Sequence, residues 1–329
     1  MKTKTIGKVK ISYSDEQVND VETKKEIGVM RNSYLDNSEE YLKDLFSNPE
    51  SKIKAKINEI ISDNIPFEIF YHLSPQRRMI LDWYNFKKDA SVLEIGAGCG
   101  AITGLFFDKV KTIDAIELTK SRAEIIAHRF SDRDELQVYS GNLSDFNLKK
   151  KYDYITLIGV LEYAGTTIDN GKLSYTEPFS SLIETTSRYL KEGGHLLIAI
   201  ENKLGIKYLS GAHDDHHTLQ GDYFMSIEDY LRYTGIRTFS KVELNDLILK
   251  NGYKSVEFYY PFPDYKFPLN IMSDKSLHEF NMPTSFYVRS EGFSSSQSNF
   301  FNDLIFARNL VRENIMDRFA NSFLIDAVL

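Results

Sequence analysis

Cysteine is nearly absent: the 329-residue chain has one, Cys99. A lone thiol forms no disulfide within the chain and builds no multi-cysteine zinc site, and it fits a reducing compartment. Also missing is any apolar run approaching ~20 residues, and the basic start Met1-Lys2-Thr3-Lys4 is followed by no apolar core of signal-peptide length. The expectation is a cytoplasmic protein with no membrane span. Positive charge is in deficit, with 40 Lys and Arg against 47 Asp and Glu for a net charge of -7. No dense basic block offers to neutralise a run of phosphates, which argues against nucleic acid as a partner. Repeats and low-complexity tracts are absent as well.

What is there is a long alternation of short apolar runs with helical stretches, the pattern of a parallel sheet wrapped by helices. Residues 1 to about 88 are charged and mostly helical in pattern, with Leu42, Leu45, Ile53, Ile57 and Ile60 at roughly helical spacing. Residues 1–70 are therefore assigned to an N-terminal, mostly helical cap, and 71–329 to an α/β domain. Ser74 and Pro75 supply an N-cap and a first helical position. Strands are predicted at Ser91 to Gly96, Thr112 to Glu117, Leu136 to Tyr139, Tyr154 to Ile158, His195 to Ile200, Val256 to Tyr260 and Asn321 to Val328. Helices are predicted near Thr103 to Asp108, Ser121 to Phe130, Pro178 to Leu190, and from a Ser240 cap to Lys250. Two stretches break the pattern, 202–238 and 261–320. They read as insertions, the first as a lid over an acceptor site.

The first strand runs into Gly96-Ala97-Gly98-Cys99-Gly100-Ala101. Glycines there let the backbone turn sharply and approach a ligand, and the following helix offers free N–H groups. The spacing alone also satisfies the dinucleotide fingerprint, so the loop leaves the ligand open. Glu94, two residues before Gly96, narrows the choice, because a carboxylate there suits a ligand carrying cations and repels a pyrophosphate. Glu117 ends the next strand, where an acid accepts hydrogen bonds from ribose hydroxyls.

Together with Asp153-Tyr154-Ile155-Thr156-Leu157-Ile158-Gly159-Val160-Leu161-Glu162 and Leu190-Lys191-Glu192-Gly193-Gly194-His195-Leu196-Leu197-Ile198, these features resemble the class I S-adenosylmethionine-dependent methyltransferases, in order from about Tyr71 to Ile200. The resemblance implies a Rossmann-like, seven-stranded sheet of order 3-2-1-4-5-7-6, its seventh strand antiparallel, with helices on both faces. It implies S-adenosylmethionine as cofactor and S-adenosylhomocysteine as product. Glu94, Gly96 and Gly98 would hold the methionine part, Glu117 the ribose, and Asn142 with Leu143 the adenine edge. Ala97, Leu118 and Val160 would stand beside them. Many relatives have an acid where Asn142 sits. No metal is implied.

Beyond the fifth strand, Glu201-Asn202-Lys203-Leu204-Gly205-Ile206-Lys207-Tyr208 through His213-Asp214-Asp215-His216-His217, with Arg237-Thr238-Phe239-Ser240, Tyr259 to Lys266 and Asn321 to Leu324, resembles a narrower subgroup. These are the methyltransferases found alongside glycosyltransferases in bacterial surface-polysaccharide assembly. The implied acceptor is a sugar hydroxyl of a glycan or glycan precursor, with glycosyltransferases of the same pathway as partners. A hydroxyl acceptor needs help with its proton, and His216 oriented by Asp215 is the candidate base. His72, Asn202, Tyr208 and Arg237 are the acceptor-site candidates. Two other readings of the 213–217 cluster stay open, a solvated loop and a divalent-ion site. Methylation of a small natural product and a non-catalytic scaffold role also remain as alternatives.

Overall fold

Short apolar runs become strands in both of the units into which the chain divides, Met1–Tyr152 and Asp153–Leu329. The computed structural model describes residues 1–15, 38–48, 66–167, 177–212, 236–279 and 300–329. In the first unit the elements are β1 (Lys2–Ile6), β2 (Val9–Tyr13), α1 (Glu39–Ser47), α2 (Phe67–Leu73), α3 (Met79–Asp82), β3 (Ser91–Ile95), α4 (Thr103–Phe106), β4 (Thr112–Glu117), α5 (Lys120–Arg129) and β5 (Leu136–Ser140). Their strands lie in the order β1-β2-β5-β4-β3. β3, β4, β5 and β2 run parallel, and β1 turns back antiparallel to β2. Val92, Leu93, Ile113, Ala115 and Val138 are fully buried, which is why these strands read as near-continuous apolar runs. Between α2 and α3, Ser74 caps a short 3₁₀ turn with Pro75 at its first position, its hydroxyl accepting from the Gln76 N–H at 3.3 Å.

The second unit takes over within β6 (Tyr152–Ile158) and continues through α6 (Ala164–Thr167), α7 (Glu177–Tyr189), β7 (Leu190–Glu201), α8 (Ile206–Leu209), α9 (Lys241–Lys250), β8 (Ser255–Phe262), β9 (Asn270–Ser273), α10 (Asp274–Glu279), α11 (Asp303–Arg312), α12 (Met316–Phe319) and β10 (Ser322–Val328). Its strands lie in the order β6-β7-β10-β8-β9. β10 is antiparallel to both β7 and β8, and β9 is antiparallel to β8. Helix α9 starts in a full capping box: the Ser240 hydroxyl accepts from the Glu243 N–H, and the Glu243 carboxylate accepts from the Ser240 N–H.

Two expectations need correction. Ten strands stand among the described residues, so the seven-strand order does not hold. Strands β1 and β2 are added outside β5, and β9 is added outside β8; the neighbours expected from the resemblance recur inside each unit as β5-β4-β3 and β6-β7-β10-β8. The second correction concerns the cap. Its opening residues form a hairpin rather than a helix, because Val9, Ile11 and Tyr13 alternate along β2 and all three are buried. Gly7, at φ +57°, makes the tight turn, and a Cβ there would meet the Ser131 carbonyl at 2.1 Å. The helical spacing of Leu42 and Leu45 does give a helix: both are buried in α1, packed with Phe46, Cys99 and Ile125. Ile53, Ile57 and Ile60 lie outside the described residues. The division between the units falls at Tyr152, whereas the sequence pattern places a boundary at residue 70.

Candidate functional site

The loop after β3 is built on three left-handed glycines, Gly96 (φ 73°), Gly98 (φ 56°) and Gly100 (φ 78°). Side chains rarely tolerate this conformation. The N–H groups of Gly96 and Ala97 both donate to the Ile116 carbonyl, which draws the loop across the end of β4. The glycines differ in what surrounds them. A Cβ on Gly100 would strike Phe130 at 2.8 Å, whereas one on Gly98 would meet nothing within 4 Å. Gly100 therefore serves packing, and Gly98 faces open space.

Two buried acids stand on the strands on which the loop rests, Glu94 within β3 and Glu117 at the end of β4. Glu117 sits at the end of β4, where its Oε2 accepts from the Gly98 N–H at 2.9 Å and its Oε1 from the Thr119 N–H at 3.0 Å and the Thr119 hydroxyl at 3.1 Å. This carboxylate fixes the loop from below. Burial raises its pKa, against the pull of Arg122 and these hydrogen bonds. Glu94, 4% exposed, has the Thr103 hydroxyl donating to its Oε2 at 2.6 Å. Burial pushes its pKa up to about 8; the Thr103 bond opposes this, Glu117 adds to it, and Arg129 and Arg77 counter it. A pKa raised by burial is brought back down by a cation placed beside the carboxyl group.

The residues expected at the adenine edge follow the end of β5. Asn142 caps a 3₁₀ turn, its Oδ1 accepting from the Ser144 N–H at 3.3 Å while its own N–H donates to Asp145. Its side-chain oxygen is thus engaged as a cap. Leu143 is buried and Leu118 half-buried. His72 does not lie open to an acceptor: it is 4% exposed in the last turn of α2, edge-on to Tyr71.

In the second unit, Val160 follows β6 and is half-buried. Asn202 follows β7 and is fully buried, its Nδ2 donating to the carbonyls of Arg318 (2.8 Å) and Ala320 (2.7 Å) and its Oδ1 accepting from the Leu204 N–H at 3.0 Å. Its amide is spent on tying residues 202–204 to residues 318–320. Tyr208 is also buried, its ring against the Lys207 ammonium at 4.8 Å. Arg237 has its backbone N–H on the Glu162 carbonyl, its guanidinium 4.5 Å over the Phe239 ring and one nitrogen on Glu243. Asp215 and His216, with His213, Asp214 and His217, lie outside the described residues. Among the described residues no group of three or more His, Cys, Asp or Glu side chains is placed to hold a metal ion, and no helix is long and apolar enough to cross a membrane.

Residues 68–257 match the family model described as a methyltransferase domain. The chain belongs to this methyltransferase family. Ribosomal RNA small subunit methyltransferase A of Pseudomonas putida is 32% identical to it over 71 residues, 22% of this chain and 27% of that protein. The chain thus matches about a quarter of that relative's length. Among solved structures, a phosphoethanolamine N-methyltransferase 2 of Haemonchus contortus aligns over 90% of this chain and 59% of its own, at 14% identity and a TM-score of 0.47. The N-methyltransferase NodS of Bradyrhizobium japonicum aligns over 81% of this chain and 98% of its own, at 14% identity and a TM-score of 0.42.

One residue that holds the glycine loop carries no sequence signal. Arg129, in the last turn of α5, reads as an ordinary C-terminal helix cation. It is instead half-buried, and one nitrogen donates to the carbonyls of both His72 (3.0 Å) and Cys99 (2.9 Å), tying α2 and the glycine loop together. Burial lowers its pKa to about 10. Only the tertiary arrangement brings these carbonyls to it.

The contrast between Gly98 and Gly100 gives a direct test. Gly98→Ala is expected to cost about 1 kcal/mol of stability from its left-handed backbone and to weaken ligand binding at the loop at least tenfold. Calorimetric titration and a melting curve on the same sample check the pair of effects.

Proposed function

We propose that this methyltransferase uses S-adenosylmethionine and methylates a sugar hydroxyl in a bacterial glycan or glycan precursor. The observation that carries the cofactor reading is the open face of Gly98, whose N–H is held by the buried Glu117 carboxylate at the end of the strand next to the one that carries a second buried acid, Glu94. A ligand with an ammonium and a sulfonium adds to the counter-charge that Arg129 and Arg77 give Glu94, and Glu117 retains acceptor capacity for ribose hydroxyls. A pyrophosphate supplies no such cation. Gly96, Ala97, Leu118, Asn142, Leu143 and Val160 complete the proposed cofactor set. When bound, S-adenosylmethionine supplies an electrophilic methyl group.

The acceptor side rests on the resemblance of the residues after β7 and around Arg237 to the polysaccharide-associated subgroup. There the chain has to align a hydroxyl, exclude water and take a proton. In this proposal His216 takes it, with Asp215 orienting the imidazole, in a cytoplasmic enzyme working beside glycosyltransferases. The test is transfer of labelled methyl from the cofactor to fractionated polysaccharide intermediates and, separately, to small-molecule extracts. Label in the polysaccharide fraction, and its loss in His216→Ala with cofactor binding kept, is the expected result. Label confined to small molecules overturns the glycan reading, and full turnover by His216→Ala overturns the base.

A further inference from the structure

The carboxyl end of the second unit's sheet holds three ion pairs that are largely out of solvent. Lys207 Nζ meets Asp264 Oδ2 at 2.7 Å, with both side chains at most 5% exposed. Lys266 pairs with Glu201. In each of these a cation has a carboxylate beside it, as burial of charge demands.

Arg237, in the third pair, is different. Its Nη2 reaches Glu243 Oε1 at 3.0 Å, but Glu243 also binds Lys203 Nζ at 2.8 Å and caps α9 through the Ser240 N–H at 2.8 Å. One carboxylate thus serves two cations. The Arg237 side chain is 7% exposed, and its Nε and Nη1 have no hydrogen-bond partner among the described residues. A buried donor left unmet is costly, and more so when it is charged. Its place is fixed from three sides. The backbone N–H is held by the Glu162 carbonyl in the turn after β6, the guanidinium lies over Phe239, and Phe239 bridges to Asn202 directly after β7. In open α/β sheets, ligands bind beyond the carboxyl ends of the strands.

We infer that Arg237 is an anion-binding residue of the acceptor site, and that the acceptor carries an anionic oxygen group, a sugar carboxylate or a sugar phosphate. Such a group completes the guanidinium's hydrogen bonds and balances the second positive charge around Glu243. Arginine suits this role because its planar donors match carboxylate and phosphate oxygens. The inference rests on the acceptor reading above, since it names the class of molecule that site takes.

The experiment is binding of glucuronate, glucose 1-phosphate and glucose to the full chain without cofactor, by calorimetric titration. The same titrations are run on Arg237→Gln and Arg237→Lys, with S-adenosylhomocysteine as a folding control. The expected result is binding of at least one acidic sugar and at least tenfold weaker binding of glucose. Arg237→Gln should lose the acidic sugar by tenfold or more, and both variants should hold S-adenosylhomocysteine as the wild type does. A response to glucuronate assigns a carboxylate, and a response to glucose 1-phosphate assigns a phosphate. Glucose binding as tightly as both acidic sugars, binding of none of the three, or an unchanged acidic-sugar affinity in Arg237→Gln overturns the inference. If Arg237→Gln fails the folding control, Arg237→Lys carries the same comparison, because an ammonium keeps the charge but loses the planar donors. An intact anion response with no methyl transfer to any acceptor overturns the proposed reaction and leaves the anion site standing.

Discussion

Replacing Glu94 by glutamine is expected to stabilise the ligand-free protein at pH 8 while weakening S-adenosylmethionine binding about tenfold to a hundredfold. Burial raises the Glu94 pKa from 4.5 to about 8. Between those values the unfolded chain has released a proton that the folded chain keeps, so the stability contributed by this residue falls as pH rises through the window. Glutamine has no proton to lose, so the variant escapes the decline. The gain at pH 8 is on the order of a few kcal/mol, because each tenfold difference in proton affinity between the folded and unfolded chain is worth about 1.4 kcal/mol, and it shrinks towards pH 5. The loss of affinity follows from replacing a charge-assisted hydrogen bond, worth about 1.5–3 kcal/mol, by a neutral one. Melting curves at pH 5 and pH 8, with and without cofactor, read both effects. A variant less stable than wild type at pH 8, or one that binds cofactor equally well, contradicts this role for Glu94. Stability held back at a binding site for the sake of its ligand is a common trade.

Asn202→Ala is expected to cost about 3–5 kcal/mol of stability, the sum of what its three hydrogen-bonding groups leave unmet. The substitution strands the Arg318 and Ala320 carbonyls and the Leu204 N–H around a fully buried position. Cofactor affinity of the protein that remains folded is expected to be unchanged. Denaturant unfolding monitored beside cofactor titration separates the two quantities. Wild-type stability with selective loss of methyl transfer would return Asn202 to the acceptor site.

Asn202 shows where sequence reading stops. A polar residue just past a strand's carboxyl end fits a ligand contact and a structural clamp equally well. What decides between them is the chain that returns as α12 and β10, more than a hundred residues later. The hairpin at Lys2–Tyr13 is hidden for a similar reason, since its alternation is brief and its partner is β5, far along the chain. Arg129 gives no signal at all, because backbone carbonyls carry no mark in a sequence.

The legible parts are those governed locally. The strand β4 occupies the expected residues, Thr112–Glu117, and α9 follows its Ser240 cap. The glycine loop is legible because φ values of 56–78° leave few alternatives to glycine. Glu94 and Glu117 stand out because an acid in or after a buried apolar strand is costly without a purpose. The structure adds the electrostatics that the letters do not show: one acid is anchored by the loop's own N–H, and the other has its pKa raised by burial.

The central claim is that the space beside Gly98 takes S-adenosylmethionine. The most direct test is the melting temperature of the full chain with S-adenosylmethionine, S-adenosylhomocysteine or NAD at saturating concentration. Stabilisation by the first two, about 2.7 kcal/mol at a concentration 100 times the Kd, and none by NAD, is the predicted result. Stabilisation by NAD alone, or no response to either adenosyl compound, contradicts it.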